Sequence, residues 1–201
     1  MGRQATWNEA DLLGEAMAVF RRKGFAQTTV RDLEAATGLH PGSLYKAYGS
    51  KDGLFAAALR AYTKRVVEAR IAAHLMREDD PLAGIRSFFT STFECRTRPD
   101  PGCLVTNTAI EGFSLDAAAR DEVRAGLARI ERGLAGALER ARTRGQVAPS
   151  ANVGSLATRL LTLYQGLLVL VRSGAPTRKL RAITGDAIRS VAHPATKGQA
   201  R

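Results

Sequence analysis

Three side chains in one short stretch of this 201-residue chain could hold a nucleic-acid phosphate. Tyr45, Lys46 and Lys51 supply the hydroxyl and ammonium donors from which phosphate contacts usually come. Arg31 and Ser43 could reach base edges. His40, Pro41 and Gly42 lie at the amino end of the segment that carries Ser43, where backbone can come closest to a duplex, and Thr29 opens the segment that carries Arg31. A second group could hold a small molecule. Phe88, Phe89, Phe93, Phe113 and Tyr164 are either core packing or the wall of a ligand cavity between helices. Asn107, Thr108, Glu111, Arg96 and Gln165 are polar residues in apolar surroundings, as polar anchors or as a solvated face. Cys103 follows Pro101-Gly102 at a helix start, a position that favours the thiolate; the other reading is a small buried hydrophobe. Catalytic chemistry finds no support. His40, His74 and His193 have no nucleophile pattern beside them, and no Gly-rich phosphate cradle is present.

The elements that must position the first group are two short helices. Thr29 caps the first, with Asp32 three residues on as its capping-box partner. Val30, Leu33 and Ala36 form its inward stripe. Gly38 supplies a left-handed residue at its end, Leu39 plugs the turn, and Pro41 starts the second helix at its first position. Leu44 and Tyr48 share the inward face of that helix; Ser43, Tyr45 and Lys46 point outward. Gly49 and Ser50 stop it. Helix, tight turn and short helix with a polar outer face is the helix-turn-helix arrangement, whose second helix enters the major groove.

The stretch resembles the DNA-binding domain of the tetracycline-repressor (TetR/AcrR) family of bacterial transcription factors. The matching pieces are Ala18-Val19-Phe20-x3-Gly24-Phe25, Thr28-Thr29-Val30-Arg31-Asp32-Leu33, Gly38-Leu39, Gly42-Ser43-Leu44-Tyr45-Lys46-Ala47-Tyr48 and Ser50-Lys51-Asp52-Gly53-Leu54-Phe55. Many members carry His or another polar residue where this chain has Ala47, so one phosphate contact of the family is missing here. The resemblance implies base readers at the positions of Arg31 and Ser43, an inward aromatic at Tyr48, and a dimer built by a four-helix bundle. The run Gly102-Cys103-Leu104-Val105-x-Asn107-x2-Ile110-Glu111 resembles a subset of the family, some of whose members sense electrophiles or oxidants through a cysteine.

Composition sets outer bounds. The formal charge is +11, which suits a polyanionic partner. Residues 1–60 hold eight Lys and Arg against six Asp and Glu, and residues 172–201 hold seven against one, so the excess lies away from the proposed reading head. The DNA reading therefore rests on the motif. No signal peptide shows, and the apolar run Leu160 to Val171 is too short to span a bilayer. The expectation is a cytoplasmic protein with no membrane partner. Two cysteines without paired spacing and three scattered histidines point to no metal and no cofactor.

The rest of the chain reads as helices alone. The spacing predicts helices over residues 8–23, 51–76, 81–96, 103–113, 117–144, 152–173 and 177–191. In the second of these Leu54, Phe55, Leu59, Tyr62 and Val66 turn inward, and the helix is a stiff lever crossing a domain border. The expected division is a DNA-binding domain over 1–50 and a ligand-binding and dimerisation domain over 51–201. Leu127, Ile130 and Leu134 of one helix and Leu156, Leu160, Leu163 and Leu167 of another are expected at the dimer interface. The expected protein is an all-α homodimeric repressor that binds double-stranded operator DNA. A small hydrophobic effector lined by Phe88, Phe89, Phe93, Cys103, Asn107, Glu111 and Tyr164 would release it; the alternative trigger is covalent modification of Cys103.

Overall fold

The computed structural model describes residues 7–77, 79–94, 102–112 and 115–193. Arg96, Phe113 and the loop before Gly102 lie outside them. Every regular element among the described residues is helical. They are α1 (Glu9–Gln27), α2 (Val30–Thr37), α3 (Pro41–Tyr48), α4 (Lys51–Tyr62), α5 (Glu68–Arg70), α6 (Pro81–Thr90), α7 (Leu104–Glu111), α8 (Ala117–Thr143), α9 (Val153–Arg172) and α10 (Thr177–Arg189). Two π-helical turns, Thr63–Val67 and Ile71–Leu75, bracket α5, so the helical run from Lys51 continues to Leu75.

The chain forms two compact units, Met1–Val66 with Pro101–Gly126, and Val67–Asp100 with Leu127–Arg201. Helices α4 and α7 both pack on α1 and so belong to the first unit. That unit buries Leu12, Ala16, Met17, Val19 and Phe20 of α1 with Leu33, Leu44, Leu54, Phe55, Leu59 and Tyr62. Phe55 sits edge-on to Phe20 at 4.6 Å and against Phe25 at 4.8 Å, distances at which aromatic pairs add to simple burial. Gly24 breaks α1 as expected, at φ 78° and ψ 172°, and one further turn follows to Gln27.

The second unit buries Ile85, Phe88 and Phe89 of α6, Ile130, Leu134 and Leu138 of α8, Leu160, Tyr164 and Leu167 of α9, and Leu180 and Ile188 of α10. Asp80 caps α6 by accepting from the Ala83 amide at 3.0 Å. The helix stops at Thr90 and not near 96. Its last hydroxyls turn back on the backbone: Ser91 Oγ donates to Phe88 O (2.9 Å) and Thr92 Oγ1 to Phe89 O (2.7 Å), which competes with continued helix. Phe93 is nevertheless buried in the turn that follows. The inward residue expected at 66 is found at 67. Val67 is buried and Val66 is not, because the π-turn inserts one residue into the stripe. Helix α9 as a whole, at 20 residues, is long and apolar enough by composition to cross a bilayer, although the uninterrupted run inside it is shorter. Its buried side faces the unit's own core.

Candidate nucleic-acid interface

The local chemistry of α2 and α3 follows the spacing closely. Thr29 Oγ1 accepts from the Asp32 amide and the Asp32 carboxylate accepts from the Thr29 amide, a complete capping box. Gly38 ends α2 at φ 68°, a conformation that only glycine adopts without cost. His40 caps α3: its Nδ1 accepts from the Gly42 amide at 3.2 Å. In the neutral ring the proton therefore sits on Nε2 and leaves that atom a donor. Leu44 alone of α3 is fully buried. Thr29, Arg31, His40, Gly42, Ser43, Tyr45 and Lys46 are exposed, and Pro41 is half-buried. Tyr45, 43% exposed, is one of the few large hydrophobic side chains left in solvent, which leaves its ring and hydroxyl available. Tyr48 turns the other way. Its hydroxyl donates to Glu9 Oε1 at 3.4 Å, and burial, with Glu9 beside it, pushes its pKa up to about 12.

Lys51 does not stand with the exposed donors. Its Nζ donates to Phe25 O and Thr28 O, each at 2.9 Å, and lies 4.1 Å from the centre of the Phe25 ring. The expected phosphate donor is thus committed to carbonyls left open at the end of α1. The helix-starting position hid this, because those carbonyls are more than twenty residues away in sequence.

Asp32 also reports on this motif. It accepts from Lys23 Nζ at 2.6 Å and from Thr29. Those bonds, Lys23's first, hold its carboxyl at about 2 against an ordinary 3.8. A lowered carboxyl pKa stabilises the folded state above the ordinary value, and the contribution disappears as pH falls toward the folded value. An NMR titration of the Asp32 carboxyl is expected to show a midpoint near 2, with the Thr29 amide losing exchange protection below it. A midpoint near 3.8 would mean that the carboxylate is held neither by Lys23 nor by the capping box.

The expected effector residues divide between the two units. Phe88, Phe89 and Tyr164 form one cluster in the second unit, with ring centres 4.8 Å and 5.2 Å from Tyr164, and Phe93 is buried in the same unit. Cys103, Asn107 and Glu111 belong to the first unit. Cys103 precedes α7 and is 5% exposed, so of its two readings the structure has the small buried hydrophobe. Asn107 is buried against Gly102. Glu111 is engaged with backbone: its carboxylate accepts from the Phe25 amide at 2.8 Å and the Ala26 amide at 3.3 Å. At the other end of α7, Arg21 donates from Nε and Nη2 to Gly102 O at 3.0 and 2.8 Å. Helix α7 is thereby strapped to α1 at both ends. Nothing in the local spacing marks Arg21 for this role, because its acceptor lies 81 residues away.

The expected dimer residues also divide. Ile130, Leu134, Leu160 and Leu167 are 0–2% exposed inside one chain and cannot face a partner. Leu127 and Leu156 are half-buried. Leu163, at 36%, faces outward together with Val169 at 45%. Beside Leu163 an open groove of ≈ 350 Å³ runs between α9 and α10, lined by Arg159, Leu163, Ile183, Asp186, Ala187 and Ser190. The apolar side of α9 was legible, but which part of it the chain itself covers depends on α6 and α10.

Comparison with known proteins agrees with this geometry. Residues 12–58 match the model for bacterial regulatory proteins of the tetR family, and residues 81–184 match a tetracyclin repressor-like C-terminal domain. The chain is 30% identical over 192 residues to the HTH-type transcriptional repressor ComR of Escherichia coli K12, covering 94% of this chain and 90% of that protein. It is 35% identical over 81 residues to the repressor BdcR of the same organism, 40% of each chain. Among solved structures, a cysteine-substituted CifR bound to a 26-base-pair operator duplex superposes with a TM-score of 0.82 at 28% identity, covering 94% of this chain and 100% of that one.

Proposed function

We propose, for a chain that belongs to the TetR family of bacterial transcription regulators, a specific division of labour among its residues. The protein is a DNA-binding transcriptional repressor with a helix-turn-helix reading head, and not an enzyme. Tyr45 and Lys46 contact phosphate, Arg31 and Ser43 read base edges, and Thr29, His40, Pro41 and Gly42 bring backbone and short donors to the duplex. The observation that carries this reading is the exposure of all but Pro41 on the capped outer side of α2 and α3. The domain over 1–50 is the reading head in function, and residues 51–201 hold the effector and dimer surfaces. Two copies place two heads on a pseudo-palindromic duplex in the cytoplasm. Their contact is through the open faces of α9 and α10 around Leu163 and Val169, which also covers the groove beside Leu163. A small molecule bound among Phe88, Phe89, Phe93 and Tyr164 releases the DNA. A switch through Cys103 is not favoured, because its thiol is enclosed.

The test is binding to an operator duplex selected in vitro, measured by fluorescence anisotropy over a salt series. Lys46→Ala is expected to weaken binding to all sequences alike and to lower the salt slope by about one unit. Arg31→Ala is expected to relax base preference at one position per half-site. Lys51→Ala is expected to lower thermal stability and leave the salt slope where it was. Unchanged affinity and preference in the Lys46 and Arg31 variants would remove α3 as the reading helix.

A further inference from the structure

We propose that Arg70 anchors an anionic group of the effector, so that the molecule sensed is an organic acid held through its carboxylate. This rests on the reading that the second unit binds a small molecule. Arg70 is half-buried in α5. Its Nη1 donates to Tyr164 Oη at 2.8 Å, and its Nη2 to Phe88 O at 3.0 Å and Ser91 Oγ at 2.8 Å. The guanidinium carbon lies 4.9 Å from the centre of the Phe88 ring and 5.9 Å from that of Tyr164. Every one of these acceptors is neutral. No carboxylate among the described residues forms an ion pair with Arg70; nearby Glu68 pairs with Arg129 and Glu94 with Arg181.

A charge withdrawn from water is normally matched by an opposite one. A guanidinium has more N–H groups than the acceptors around this one, and its planar fork fits a carboxylate better than any other common anion of that size. Nε–H has no acceptor among the described residues, and the side chain is only half covered, so an anion can reach it. The rings of Phe88 and Tyr164, 1% exposed and 4.8 Å apart, back the guanidinium from the core side, so the anion meets it from its open side. The local field agrees. His74, whose Nδ1 lies 2.8 Å from Ser87 Oγ, has its pKa lowered by burial first and then by the charges of Arg70 and Arg77. The backbone marks the same place. Arg70 sits between two π-turns, a winding that in other helices often marks a functional site.

The experiment uses the full-length protein and a fixed probe series: cinnamate, 2-naphthoate and decanoate, each beside its own primary amide. Binding is read by calorimetry and by NMR titration of the His74 ring. At least one acid is expected to bind ten times tighter than its amide and to raise the His74 pKa, because a bound anion offsets the charge of Arg70. Arg70→Gln, checked for folding by circular dichroism, is expected to lose that preference for acid over amide; Arg70→Lys keeps the charge but not the fork and is expected to retain part of it. If no acid in the series binds better than its amide, or if Arg70→Gln keeps the preference, the assignment falls. The His74 titration decides even where the variants misfold: acids that bind without moving His74 bind elsewhere. Operator release is scored separately. An acid that binds at Arg70 yet leaves the operator complex intact sinks the effector reading and spares the site. A neutral member that releases DNA does the reverse.

Discussion

Gly24→Ala is expected to destabilise the first unit by about 3 kcal/mol or more. Two costs combine. At φ 78° and ψ 172° the backbone is in a region open essentially to glycine, and holding another residue there costs about 1–3 kcal/mol. The new methyl would also lie 2.4 Å from Glu111 Oε1. The carboxylate must leave, and the Phe25 and Ala26 amides lose their charged acceptor, a bond of a kind worth about 1.5–3 kcal/mol. The single tryptophan, Trp7, lies 6.4 Å from Tyr48 in the same unit, so its fluorescence in urea reports this loss. A midpoint within error of the unsubstituted protein would show that neither the glycine conformation nor the Glu111 strap matters. Glu111→Gln separates the two, since it keeps the glycine and one acceptor oxygen and is expected to cost much less.

Leu163→Glu is expected to convert a dimer into a monomer and to abolish tight operator binding. The side chain is 36% exposed in one chain and borders the groove between α9 and α10, so a second copy would bury it. A carboxylate without a partner in that contact costs several kcal/mol, roughly 3–5 by analogy with broken buried pairs. A monomer holds one half-site only and loses the additive contribution of the second head. Light scattering at micromolar concentration checks the assembly, and anisotropy checks the DNA. A variant that remains dimeric moves the contact away from this face. The same change at Leu167 would not serve, because that residue is 1% exposed within its own chain and its substitution tests folding instead.

The helix-turn-helix was legible because it is written in local signals. Thr29 with Asp32, Gly38 and Pro41 each act within four residues and hold the place that their spacing implies, while Ser50, read with Gly49 as a stop, caps α4 instead. What sequence could not show is where long-range partners lie. Lys51 reads as a free amine at a helix start and is occupied by carbonyls of residues 25 and 28. Glu111 reads as a polar anchor and serves as an acceptor for amides 86 and 85 residues away. The apolar residues of α8 and α9 read as one interface, yet Ile130, Leu134, Leu160 and Leu167 are consumed by their own chain. Arg70 carried no signal in a helix rich in charges; only its surroundings set it apart.

The inward residues of the long helical run step from Phe55 to Leu59 to Tyr62, then by five to Val67, then by four to Ile71 and Leu75. That step of five is a phase slip. One residue corresponds to about 100° of helical rotation, so everything after Tyr62 is out of phase with a uniform α-helix begun at Lys51. Tightening the Thr63–Val67 turn to ordinary winding would therefore rotate its two flanks against each other by about that angle without bending the axis. Arg70 follows the slip on the helical run that Ser50 starts.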